Sequence, residues 1–240
     1  MCILCIWLWR NGKTYLWRLL CATLRRKGEI VLPVASSGIV SLLFPRGRIA
    51  HSRFGLPLNV DENSTCHGIK LVSDLTRLLM KTKLIIWDKA PMMHKYCFKA
   101  LDISLKDVMQ SINPANRHIP FGGKVVVFAG DLRQILLVVP KGSRQDIVFS
   151  TINSSFLSDF VVCLDILMQN MRLKLGFGKS NLEEIGELYE WILNNRDGKV
   201  GEPNNGEANV EIPHETLVYG GDDPISAIVD NTYPNLEDDI

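Results

Sequence analysis

The chain has 240 residues, 46% of them hydrophobic, which is enough for one packed domain, or one large domain with a tail, and excludes disorder as the default. Its formal charge of +1 conceals a division: residues 1–200 carry all 27 Lys and Arg against 16 acids, a surplus of +11, while residues 201–240 carry ten acids and no base. A basic body suits a polyanion-binding protein, because each neutralised phosphate releases counterions, and it suits equally a soluble surface with no ligand.

The opening MCILCIWLW is apolar over nine residues. That is too short for a bilayer span, and it has neither the basic start nor the cleavage site of a secretory signal, so a buried first strand is expected and no membrane contact. Six cysteines follow no repeating spacing, and Cys2-x-x-Cys5 has no second pair, so buried thiols in a reducing compartment are expected ahead of a zinc site. A helix follows Gly12-Lys13-Thr14, with Leu16, Leu19, Leu20 and Leu24 on one face. IVLPVA, KLIIWD, KVVVFAGD and FVVCLDIL are further continuous apolar runs, the mark of strands buried on both faces. Between them Phe98, Leu101, Leu105 and Val108 mark a second helical face. A third helix is expected from about Asn181, with Leu182, Ile185, Leu188 and Ile192 inward, ending at NNRDGK. GEPNNGEANVEIPHE then reads as an acidic linker, and DDPISAIVDNTYP as one short helix.

Strands alternating with helices predict an open, mostly parallel α/β sheet, in which ligands sit beyond the carboxyl ends of the strands. Gly12-Lys13-Thr14 stands where such a ligand would be, after an apolar strand and at the start of a helix. Backbone N–H groups there cradle phosphates; Lys13 would reach the β- and γ-phosphates of ATP, and Thr14 would place its hydroxyl on Mg²⁺. Asp88, ending a strand, is a candidate magnesium carboxylate, or simply a solvated strand end. Gly130, Asp131, Arg133 and Gln134 leave the next strand at the same rim, and Arg172 follows a later one, where an arginine could stabilise charge on a transferred phosphoryl group.

These elements resemble the ATPase core of the Pif-type DNA helicases, particularly the plant and transposon-associated branch. GEIVLPVASSGIVSLLFPRGRIAHSRFGLPLN, LIIWDKAPMMHKYCFKALD, PFGGKVVVFAGDLRQILLVVPKGSR, NMRL and GDDPISAIVDNTYP are similar to segments of that family, in the family's order. The resemblance implies a P-loop, RecA-like lobe over 1–200, its nucleotide loop at 7–14, and an acidic linker over 201–240 leading toward a second lobe that the 240 residues do not reach. It implies that Gly12, Lys13 and Thr14 bind the nucleotide phosphates, that Thr14 and Asp88 hold Mg²⁺, that Gln134 senses the γ-phosphate and that Arg172 is the arginine finger. It also implies that Ser36, Ser37, His51 and Ser52 contact the phosphates of single-stranded DNA; for His51 a structural role bonded to backbone stays open. The activity implied is ATP-dependent, 5′-to-3′ unwinding of a DNA duplex or fork in repair, recombination and telomere maintenance, in the nucleus or alternatively the mitochondrion.

The chain departs from the family pattern at the glycines expected before Gly12, where Trp7, Leu8, Trp9, Arg10 and Asn11 stand. Tryptophans there would crowd a phosphate that glycine lets the backbone touch. It departs again at Lys89, which occupies the position of the family's general base, a glutamate. An ammonium has three donors and no lone pair, so impaired hydrolysis is expected. Two readings stay in play, a helicase lobe and a remnant that binds nucleotide or DNA without turnover; a small-molecule kinase leaves AGDLRQ unaccounted for.

Overall fold

The computed structural model describes residues 3–7, 13–70, 72–130, 137–163, 181–200, 209–214, 217–218 and 223–233. Contacts divide the chain into two units, Met1–Lys174 and Leu175–Ile240. The division precedes the third predicted helix, whereas the composition changes only after residue 200.

The first unit is built on one sheet. Its strands are β1 (Ile3–Trp7), β2 (Ile30–Ala35), β3 (Arg48–Ile49), β4 (Thr82–Asp88), β5 (Val125–Gly130) and β6 (Val161–Cys163). The order across the sheet is β3-β2-β4-β5-β1-β6, and each neighbouring pair runs parallel. Each of the five apolar runs therefore holds a strand among its described residues, as expected. β3 was not foreseen, because two residues are too few to show a period.

The pleat of β4 sends alternate side chains to opposite faces. Leu84 and Ile86 pack with Val31, Ala35, Val127 and Ala129 against α1 (Lys13–Arg26). Ile85 and Trp87 face the other way, with Leu32, Val34, Val126 and Phe128, against α5 (Lys95–Met109). The predicted face of α5 is correct: Phe98, Leu101, Leu105 and Val108 are all buried. The face of α1 is rotated from expectation, since Trp17 and Cys21 are its buried residues while Leu19 is half exposed. Trp17 and Cys21 lie one turn apart and join Leu16, Leu20 and Leu24 in one stripe, whereas Leu19 sits across the helix from it.

Gly28, at φ +78, ends α1: its N–H donates to the Arg25 carbonyl and the Glu29 N–H reaches back to the Leu24 carbonyl. Only a residue tolerant of the left-handed region closes a helix this way without strain. Shorter helices are α2 (Gly38–Ser41), α3 (Ala50–Phe54), α4 (Asp74–Lys81) and α6 (Arg144–Ser150).

The second unit holds α7 (Asn181–Arg196) and α8 (Pro224–Thr232), at the two places predicted. Ile185, Leu188 and Ile192 are half-buried along α7, and the Trp191 indole donates to the Glu211 carbonyl at 3.2 Å. Asp223 caps α8 by accepting the Ile225 and Ser226 N–H groups, with Pro224 pre-set for the first turn. No described helix is long and apolar enough to cross a membrane.

Candidate nucleotide and nucleic-acid site

Parallel strands bring all their carboxyl ends to one rim. Ala35 of β2 pairs with Asp88 of β4, Asp88 with Ala129 of β5, and Gly130 with Trp7 of β1. Helix α1 starts from this rim at Lys13. β5 lies between β1 and β4, so Lys13 and Asp88 reach each other across the end of an intervening strand.

They do so closely: Lys13 Nζ lies 2.7 Å from Asp88 Oδ1, a pair separated by 75 residues in sequence. Strand parity explains the direction, since Asp88 continues the Leu84, Ile86 side of β4 that faces α1. The same Oδ1 accepts the Lys89 N–H at 2.8 Å. Asp88 is almost fully buried, and a buried carboxylate is tolerated only when its charge is compensated. Here a lysine ammonium supplies that compensation. The first turn of α1 carries no acid of its own and contains half-buried Thr14 beside Lys13. A helix start with no acid and a lysine favours an anion. The Thr14 hydroxyl and the Asp88 carboxylate are hard oxygen donors of the kind Mg²⁺ takes, so these residues fit that ion.

Lys89, at φ 58 and ψ 35, adopts the left-handed conformation that side-chain-bearing residues rarely enter. This turns the chain sharply from β4 into the short 3₁₀ turn Ala90–Met92. Pro91 in that turn lies against the end of β5: a Cβ on Gly130 would come within 2.1 Å of Pro91 Cδ. The glycine expected to release polar groups at this rim therefore also makes room for the turn that carries Lys89.

The four candidate DNA contacts share one edge of the sheet. Because Ala35 pairs with Ile49, Ser36 and Ser37 leave β2 where α3, carrying His51 and Ser52, leaves β3. Ser36 is held twice: its N–H donates to the Asp88 carbonyl at 3.0 Å, and its Oγ accepts the Trp87 indole N–H at 3.0 Å. Ser37 stands at the start of α2 with no side-chain cap bond, and Ser52 is exposed. His51 is half-buried, its carbonyl accepts the Gly55 and Leu56 N–H groups, and burial lowers its pKa. Sequence reasoning passed over Arg48 and Arg53, although both lie in the RIAHSRFG string. Arg48 is exposed; burial, and then the Arg48 charge, lower the pKa of Arg53. Two arginines beside Ser52 make this edge basic. Trp87 was passed over as well, since an apolar residue in a strand gives no local sign of a polar contact.

Gly12, Gln134 and Arg172 lie outside the described residues, as do Leu8, Trp9, Arg10 and Asn11 of the nucleotide loop.

Residues 10–206 match the family description of a PIF1-like helicase. The chain belongs to the PIF1-like helicase family. The PIF1-like stretch thus takes in every candidate residue from Gly12 to Arg172. The chain is 30% identical over 139 residues to the ATP-dependent DNA helicase PIF4 of Trypanosoma brucei brucei, a match covering 56% of this chain and 16% of that protein. Its fold is similar to a Bacteroides Pif1 helicase in complex with ADP-AlF3 and ssDNA, with TM-score 0.59 and 20% identity over 83% of this chain and 43% of that one. It is similar also to the Candida albicans Pif1 helicase, with TM-score 0.58 and 20% identity over 84% of this chain and 42% of that one. This PIF1-like chain therefore spans less than half the length of the relatives it matches.

Proposed function

We propose that these residues form the N-terminal ATPase lobe of a Pif-type, ATP-dependent DNA helicase of the plant and transposon-associated branch, with impaired turnover. The observation that carries the reading is the 2.7 Å pairing of Lys13 Nζ with Asp88 Oδ1 at the carboxyl rim of a parallel sheet. Lys13 guards the buried carboxylate and turns to the phosphates when nucleotide arrives. Gly12 and the start of α1 cradle those phosphates, and Thr14 and Asp88 hold Mg²⁺. Mg²⁺ held there would supply positive charge to the nucleotide phosphates. Gln134 is assigned to the γ-phosphate and Arg172 to the arginine finger, on family resemblance. Ser36, Ser37, His51 and Ser52 contact the phosphates of single-stranded DNA, with Arg48 and Arg53 adding charge. The wider role is 5′-to-3′ unwinding at duplexes or forks in repair, recombination and telomere maintenance, in the nucleus or the mitochondrion.

The second reading, a remnant that binds nucleotide or single-stranded DNA without turnover, is favoured by Lys89. An ammonium donor in place of a carboxylate acceptor removes the general base, a loss of about a hundred- to ten-thousand-fold in rate. A coupled ATPase assay with and without single-stranded DNA tests both. The expected result is hydrolysis at or near background, in the natural chain and in Lys89→Glu, because Leu8, Trp9, Arg10 and Asn11 still stand where the family has a glycine-rich loop. Robust DNA-stimulated turnover by the natural chain removes the impaired reading. Recovery in Lys89→Glu alone shows that the loop still forms a working cradle.

A further inference from the structure

Trp87 and Asp88 are consecutive residues at the end of β4, and the pleat points them to opposite faces of the sheet. Asp88 meets Lys13 on the α1 side. Trp87, fully buried on the other side, donates its indole N–H to Ser36 Oγ at 3.0 Å and packs its ring 5.8 Å from that of Phe54, the last residue of α3. One side chain thus touches both segments offered to DNA, Ser36 at the end of β2 and the helix carrying His51 and Ser52. Phe98 at 4.9 Å and Phe128 at 6.0 Å hem in the rest of the ring.

The hydrogen bond also sets the chemistry of Ser36. A hydroxyl oxygen that accepts from an indole keeps its own hydrogen free, so Ser36 is presented as a donor, the role a phosphate oxygen requires. The Ser36 N–H is meanwhile tied to the carbonyl of Asp88 itself. In a close-packed interior, where no gap absorbs a small displacement, a shift at the end of β4 is passed to whatever is bonded to it.

We propose that Trp87 is a positioning residue that couples nucleotide binding at Asp88 to single-stranded DNA binding at Ser36 and α3. The proposal rests on the function proposed above and adds the route by which the two ligands affect each other. Neither ligand touches Trp87. Nucleotide acts on Asp88, DNA acts on Ser36 and α3, and the indole holds the two ends in one arrangement.

The test uses the full 240-residue chain, a fluorescent ADP analogue with Mg²⁺, and a fluorescein-labelled oligothymidylate. Each ligand is titrated alone and with the other saturating. In the natural chain each is expected to tighten the other by about fivefold or more, and by the same factor in both directions. Trp87→Phe, which keeps the ring and removes the N–H, is expected to hold the ADP analogue alone within about twofold of the natural affinity, to weaken oligothymidylate alone by about two- to fivefold because Ser36 loses its fixed donor role, and to cut the coupling factor to about half or less. Leu105→Val, a packing change in the same core, is expected to lower the thermal midpoint and leave the factor unchanged, which separates coupling from stability. A natural factor retained in Trp87→Phe overturns the proposal, as does a natural chain that binds both ligands independently. A natural chain that binds neither ligand overturns the function on which the proposal rests, and the proposal with it.

Discussion

Asp102 sits buried on α5, where its Oδ1 accepts the Phe121 N–H at 2.5 Å and its Oδ2 the Lys106 ammonium at 2.7 Å. Phe121 is fully buried yet has φ 51, so this carboxylate holds a backbone turn that the chain would otherwise leave. Asp102→Ala is therefore expected to cost about 2–4 kcal/mol, since it frees a buried N–H and a half-buried lysine together. Asp102→Asn keeps an acceptor for Phe121 and is expected to cost about half as much; urea unfolding of both variants measures the difference. Asp88 resembles Asp102 in burial but differs in partner. Its lysine comes from another element and ends at the rim, so the same physics that is structural at Asp102 leaves a charged pair within reach of a ligand. Of these two pairs, the sequence displays one: Lys106 follows Asp102 by four residues on the same helix, the spacing at which side chains meet. Nothing local to Asp88 points to Lys13, 75 residues away.

At the scale of elements, the turn after β4 shows how the site depends on its neighbours. Lys89 in the left-handed region, Pro91 in the 3₁₀ turn and Gly130 at the end of β5 fit together through one close approach. Gly130→Ala places a methyl 2.1 Å from a proline ring that cannot turn aside, so the turn must move. The expected cost is about 1–3 kcal/mol in urea unfolding, with weaker binding of the fluorescent ADP analogue because Lys89 and Asp88 move with the turn. Unchanged stability shows that the turn yields without loss. Helix α1 makes a second connection: Arg18 donates to the Leu43 carbonyl and Arg25 to the Pro45 carbonyl, fixing the stretch after α2 from the helix that starts at Lys13. Periodicity placed α1 correctly in the chain and put Leu16, Leu20 and Leu24 on the packed side, but it counted Leu19 with them in place of Trp17, because a leucine count weighs apolarity and ignores the size of the indole that fills the space.

For the molecule as a whole, the surplus of +11 in residues 1–200 is the property that any polyanion would meet first. If the edge bearing Ser36, Ser52, Arg48 and Arg53 holds single-stranded DNA, affinity for oligothymidylate falls by about tenfold or more between 50 and 200 mM salt. Arg48→Ala and Arg53→Ala each flatten the slope of log K against log salt by about 0.7. An affinity that ignores salt, or slopes unchanged in both variants, removes DNA from this edge.

The sequence by itself determined that five apolar runs would hold strands, where the helices beginning near Lys13, Asn181 and Pro224 would lie, and which face of α5 would be buried, because period, capping and residue type act over a few neighbours. Tertiary structure alone decided that β5 would part β1 from β4, that Lys13 would close on Asp88 across it, and that Trp87 would give its N–H to Ser36, 51 residues away. Strand order and cross-sheet contacts are settled by the packing of the entire sheet at once, and no window of residues carries that free energy.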